Sequence, residues 1–189
     1  MTATSWQLIV TLAVLVAALA ALVVFRGWRA HVKAVEELRV ARTILSEAYA
    51  LQRLVSDFGS LTVPSLAASL SERHGRRSLA EGVLEPQLRL MQDALVRLKG
   101  SMFEGSVLWG RETCDALVPV EGLLARLVAD VGEYKVSENG HAGAPGDAER
   151  EARLACTLAG ARDAAGKTFE DRFSAAVTVL EAVVRSRVR

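Results

Sequence analysis

Between Leu8 and Phe25 the chain runs LIVTLAVLVAALAALVVF, eighteen residues with no charge and with Thr11 as the single polar side chain. The hydrocarbon core of a bilayer is about 30 Å thick and a helix rises about 1.5 Å per residue, so roughly twenty apolar residues cross it. Trp6 and Trp28 bracket the run, 22 positions apart. That spacing is about 33 Å of helix and sets both indoles at headgroup depth, where amphipathic rings are favoured. The run therefore predicts a transmembrane helix. A buried helix of a soluble protein and a cleaved secretory signal are its competitors, the second because Ala18-Leu19-Ala20 has the form of a cleavage site. Against a signal, Met1 to Gln7 contains no Lys or Arg, and the apolar run continues five residues beyond Ala20.

The flanks set an orientation. Arg26, Arg29 and Lys33 follow the run closely, whereas the N-terminal flank offers only the α-amino group. Basic residues stay on the cytoplasmic side, so the N-terminus is expected outside and the C-terminal part in the cytoplasm, with Glu36 and Glu37 counting little. Trp6, Arg26, Trp28, Arg29 and Lys33 are the expected membrane-interface residues. Within the span, Ala13, Ala17 and Ala21 step by four, a small-residue ladder that lets a second helix approach closely; lipid-facing filler is the plainer reading.

The 164 residues beyond Phe25 suffice for one domain with its own core. With 23 basic and 22 acidic residues the chain has no global field to draw in nucleic acid. Arg outnumbers Lys 19 to 4, as a GC-rich bacterial coding sequence would give. Cys114 and Cys156 lack CxxC spacing and fit reduced core thiols.

Helical periodicity dominates the rest. Trp28, Val32, Val35, Leu38, Ala41, Leu45, Ala48, Leu51, Val55 and Phe58 recur every three or four residues and predict one stripe on a helix that leaves the membrane directly and ends at Gly59 and Pro64. A short helix from Ser65 to about His74 follows. Ser78-x-x-Glu81 is a capping box for a helix carrying Leu84, Leu88, Met91, Leu95 and Leu98, kinked by Pro86 and closed by Gly100. Ser101-x-x-Glu104 caps the next, with Phe103, Val107, Cys114, Leu117, Leu124, Leu127, Val131 and Tyr134 on its apolar face and a kink or break near Val118 from Pro119. Residues 137–146, with three glycines and a proline, read as a loop. Asp147 then caps a last helix whose stripe runs through Leu154, Leu158, Ala161, Ala165, Phe169, Phe173, Ala176, Leu180 and Val183.

The expected fold is all-α, a single N-terminal transmembrane helix followed by a cytoplasmic up-down bundle of about four helices. Its parts are a tail and span (1–27), a first part of the bundle (28–136), a loop (137–146), and a last helix with a basic tail (147–189). Pro64, Pro86, Pro119 and this loop disfavour one long rod or coiled coil.

Chemical motifs are sparse. Residues 161–168, Ala-Arg-Asp-Ala-Ala-Gly-Lys-Thr, match a relaxed phosphate-binding loop, but that chemistry needs a preceding buried strand, and the string reads as a chance match on a helix. His31, His74 and His141 are isolated, no nucleophile elbow exists, and Glu36-Glu37 and Asp163 with Glu170-Asp171 fit solvated faces. The expectation is therefore no catalytic, cofactor or metal site, and no enzyme. Arg73, Arg76 and Arg77, and Arg185, Arg187 and Arg189, form two compact basic groups, candidates for contact with anionic headgroups beside the plainer reading of solvated charge. No aromatic residues interleave with them, so nucleic acid is not expected. Residues 101–146 hold seven acidic and three basic residues, a charge asymmetry best matched by pairing between neighbouring helices.

Three function classes follow. The leading one is a membrane-anchored interaction or scaffold protein, a subunit of a membrane-associated complex whose partners are lipids, other protein subunits or a second copy of the chain. The second is a signalling or sensory component answering a bilayer or cytoplasmic cue, with Gly27 as hinge. The third, a membrane-permeabilising effector, is disfavoured because one modest span has no polar channel face.

Overall fold

The computed structural model describes residues 3–69, 84–137, 162 and 165–188, and every described element is helical. Helix α1 spans Ala3–Ser69, α2 Glu85–Trp109, the single turn α3 Glu112–Asp115, α4 Val118–Ser137 and α5 Phe169–Arg187. The chain divides into two units, Met1–Arg39 and Val40–Arg189.

The first unit is a stretch of α1 alone. Every residue described from Val10 to Val35 is exposed, apolar or not. The α1 stripe expected from Trp28 onward accordingly divides: Trp28, Val32, Val35 and Leu38 are exposed. Among its described residues the unit contains no second element to cover them.

The second unit is built on one core. From α1 it takes Val40, Ala41, Ile44, Ala48, Leu51, Val55 and Phe58; from α2 Leu88, Met91, Ala94, Leu98 and Met102; from α4 Val120, Leu124, Leu127 and Val131; and from α5 Phe173, Ala176, Val177, Leu180 and Val184. Steps of three and four dominate these stripes, as they do in helices packed at about 20° with side chains interdigitated. Polar contacts fix the directions. Arg97 of α2 pairs with Glu47 of α1 at 3.3 Å, and Gly105 lies against Ile44, so later residues of α2 meet earlier residues of α1. Lys99 of α2 pairs with Glu121 of α4 at 3.1 Å, while Leu88 and Arg89 line one groove with Val131 and Gly132; Gln52 of α1 donates to Ser174 of α5 at 3.1 Å, while Tyr49 bonds Glu181. The four long helices thus run up, down, up and down, the expected bundle.

Gly105 is a tight contact between α2 and α1. A methyl group there would stand 3.0 Å from Ile44 Cδ1 and 3.1 Å from the Trp109 ring, so the missing side chain is what admits the indole. Glu112 and Glu121, two of the acidic residues in 101–146, pair across elements with Arg187 at 2.9 Å and with Lys99.

Several helix ends differ from the sequence expectation, for identifiable reasons. Helix α1 passes through Gly59 and Pro64 to Ser69, giving up the amide donor that a proline lacks. Pro86 and Pro119 do not kink helix interiors. Each is the second residue of its helix, where the amide would have no intrahelical acceptor and the fixed φ suits the first turn. The break expected near Val118 is there: α2 ends at Trp109, Gly110 turns at φ +95° with its N–H on the Ser106 carbonyl at 2.9 Å, and α3 bridges to α4. Gly100 lies inside α2 rather than closing it, and Ser101 is no cap, its hydroxyl bonding back to the Arg97 carbonyl at 3.2 Å. Phe103 and Val107 are exposed while Met102 and Gly105 take the buried face. The last helix does not run unbroken from Asp147, since Gly166 at φ +72° and the non-helical residues up to Thr168 precede α5.

The expected turn at Arg73, Arg76 and Arg77, the box at Ser78 and Glu81, the loop beyond Ser137, the cap at Asp147, the stripe at Leu154, Leu158 and Ala161, and His74, His141, Cys156 and Arg189 lie outside the described residues.

Candidate functional site

The residues with the clearest chemical bias lie in the first unit. One stretch of α1 is long and apolar enough to cross a membrane, and none of its 18-residue window is buried. Trp6 and Trp28, on either side of it, are both well exposed. Near its C-terminal side Phe25 and Trp28 stack at 6.1 Å between centroids, tilted by 41°. The Arg29 guanidinium carbon lies 5.8 Å from the Phe25 centroid, within cation–π range. Lys33 reaches Glu37 at 3.7 Å and Arg39 reaches Glu36 at 2.6 Å. An apolar cylinder thus passes, over two turns, into an aromatic and basic collar and then into paired charge. Ala13, Ala17 and Ala21 are all exposed on this helix.

At the other end of the chain, Arg185 pairs with Glu181 one turn back, and Arg187 is held across the bundle by Glu112. Arg185 also stands among the charges around Tyr49, whose phenol donates to the Glu181 carboxylate. That bond, with partial desolvation, raises the phenol above its ordinary range. Arg185 and Arg187 are thus bundle residues as well as tail residues.

Of the phosphate-loop string, the described residues Arg162 and Ala165 to Thr168 lie outside a helix, contrary to the expected match on a helix, and the geometry at Thr168 works against the chemistry the string suggests. Thr168 is the N-cap of α5: its hydroxyl accepts from the Asp171 amide at 3.1 Å, and its own amide donates to Asp171 Oδ2 at 2.9 Å. This reciprocal box occupies two amide donors that a phosphate at the start of α5 would need. Glu170 and Asp171 add negative charge where an anion would sit. The Thr168 amide holds the Asp171 carboxyl below its usual range. The pattern Thr-x-x-Asp just after a glycine is a capping signal that the sequence offers and that the phosphate-loop match obscured.

Elsewhere the chemistry is thin. No group of three or more His, Cys, Asp or Glu among the described residues is placed to hold a metal. Cys114 is a free, half-buried thiol whose Sγ lies 3.8 Å from the Met102 carbonyl. Between α2 and α4 a groove of about 230 Å³ is lined by Leu88, Arg89, Gln92, Val128, Val131 and Gly132, smaller than the roughly 300–1,000 Å³ of ligand pockets. Thr113 is fully buried, and its Oγ1, Trp109 Nε1 and Arg187 Nε have no hydrogen-bond partner among the described residues. Sequence periodicity gave no sign of this polar corner, because α3 is one turn long.

No family model, no curated protein and no solved structure matches the chain.

Proposed function

We propose that this chain is a single-pass, membrane-anchored helical interaction protein, with its N-terminus outside and its bundle in the cytoplasm, acting as a subunit of a membrane-associated complex. One observation carries the reading: from Val10 to Phe25 α1 is apolar all round, and every residue there is exposed. A helix with no polar face has no stable place in water. Its backbone is internally satisfied, so lipid is the solvent that fits it. The collar of Arg26, Trp28, Arg29 and Lys33 supports the orientation, since indoles favour the headgroup layer and basic residues the cytoplasmic side. The bundle supports the interaction role through its filled aliphatic interior and its charged, amphipathic outer faces, which suit protein contacts better than turnover of a small molecule.

The test uses the full-length chain expressed in cells. It is expected in the membrane fraction after an alkaline wash, and a reporter fused after Arg189 is expected to work only if it is a cytoplasm-dependent type. Leu15→Arg places a charge near the middle of the span at a cost of about 2.5–3.5 kcal/mol, and should shift the protein out of the washed membranes. Recovery of the unaltered chain in the supernatant, or activity of a periplasm-dependent reporter at Arg189, overturns the reading.

A further inference from the structure

Helix α2 has two apolar faces where a bundle helix needs one. Its buried stripe is Leu88, Met91, Ala94, Leu98, Met102 and Gly105. On the outer side, Val96, Phe103 and Val107 are 66%, 69% and 74% exposed. With Gly100 between them, the four positions step by four, three and four residues, the a/d repeat of a coiled-coil seam. Val118 and Val179, also exposed, have no such alignment on their helices and need no explanation. We propose that this outer seam of α2 is the contact surface for a second copy of the same chain, the two α2 helices packing in parallel about a two-fold axis.

Charge placement argues for a self-contact. With Val96 and Phe103 at d and Gly100 and Val107 at a, Lys99 is a g position and Glu104 the following e position. In a parallel pair g faces e of the other helix, so Lys99 of each copy meets Glu104 of the other, twice by symmetry. Lys99 also bonds Glu121 within its own chain at 3.1 Å, and an ammonium with three donors serves both. Shape agrees with charge. Nothing lies within 4 Å of the point where a Cβ of Gly100 would stand, so a second backbone can come close. Helical side chains lean toward the N-terminus, which lays each Phe103 ring over that bare turn.

The parallel sense rests on the membrane reading above. Two copies that enter one bilayer from the same side are related by an axis along its normal, and such an axis preserves each helix's direction along that normal. The seam covers eleven residue steps, about 16 Å of helix. So short a contact gains from the raised effective concentration of two anchored chains.

The experiment uses full-length protein in native membranes, with Cys114→Ser and Cys156→Ser removing the natural thiols. Phe103→Cys is expected to form a disulfide-linked dimer under mild copper(II) oxidation, while Val179→Cys, also exposed on α5, stays monomeric. In the Phe103→Cys background, Lys99→Glu and Glu104→Lys should each lower the dimer yield about tenfold, and the two together should restore it. A Phe103→Cys yield no higher than that of Val179→Cys overturns the proposal, as does a double exchange no better than either single one. Cross-linking of Val96→Cys to Val107→Cys in a mixture, in preference to like with like, overturns the parallel sense. Sedimentation of the same samples separates the readings: protein absent from the washed membranes is a failure of anchoring, whereas membrane-bound protein without the Phe103 cross-link is a failure of the seam alone.

Discussion

The two ends of α1 are written in the same residues and have opposite surroundings. Between Val10 and Phe25, valines, leucines and alanines are exposed at every position. Between Val40 and Phe58 the same kinds of side chain, with Ile44 and Phe58, are no more than 6% exposed at the seven core positions. The difference is in the interleaving. In the second stretch Arg42, Glu47, Arg53 and Asp57 fall between the apolar positions and leave one stripe; in the first, nothing polar intervenes but Thr11. A stripe calls for partner helices, and α2, α4 and α5 supply them. An all-round apolar surface calls for an apolar solvent.

The largest effect expected from this contrast is on folding. Leu127→Ala opens a cavity at the centre of the core and should destabilise the bundle by about 2–5 kcal/mol, read as a lower denaturant midpoint in mild detergent. Leu15→Ala removes the same atoms from the exposed stretch and should leave that midpoint within about 0.5 kcal/mol. Equal effects would mean that the two stretches of α1 are not different in kind.

The next contrast sets two glycines of the bundle against each other. Gly105→Val drives its side chain into Ile44 and Trp109 and should cost about 1–3 kcal/mol through overpacking. Gly122 in α4 has open space around it, so Gly122→Ala should add about 0.5–1 kcal/mol through helix propensity alone. Thermal unfolding of the two variants sharpens the comparison if the signs differ, and breaks it if they agree.

The helical class and most of the core could be read from periodicity, because burial in a bundle repeats every three or four residues along each helix. Leu84, Leu88, Met91, Leu98, Leu124, Leu127, Val131, Phe173 and Leu180 were all expected on apolar faces, and all are buried. Helix ends were harder. A proline that kinks an interior and one that opens a first turn are the same letter, and Pro86 and Pro119 are the second kind. Gly100 and Gly110 are likewise the same letter, but only Gly110 takes a positive φ. A face of four residues such as Val96, Gly100, Phe103 and Val107 is invisible until the competing stripe, one step away, is known to be buried. The polar corner at Trp109, Thr113 and Arg187 depends on contacts between segments far apart in the chain, which no local pattern encodes.

A smaller effect belongs to the start of α5. Thr168→Ala removes the acceptor for the Asp171 amide and should cost about 1 kcal/mol, whereas Thr168→Ser keeps the cap and should cost little. Loss from both variants alike would show that the methyl group, not the hydroxyl, holds the turn.

The smallest effect expected is a pH dependence at the same turn, and its sign follows from the direction of one shift. The Thr168 amide, donating at 2.9 Å, lowers the Asp171 carboxyl below its value in the unfolded chain, which for aspartate is about 3.9. A carboxyl lowered on folding contributes stability that is complete above the unfolded value and is lost as pH falls through the folded one. Asp171→Asn keeps an oxygen in place to accept from the Thr168 amide but carries no charge, so it isolates the ionic part. The unaltered chain should exceed this variant in unfolding midpoint at pH 6, and the two should converge as pH falls below about 4. Because Asp171 is exposed, salt should shrink the gap at pH 6 as well. A gap that persists unchanged at low pH would mean that the carboxylate's charge plays no part in the cap, and that the box stands on its two neutral hydrogen bonds.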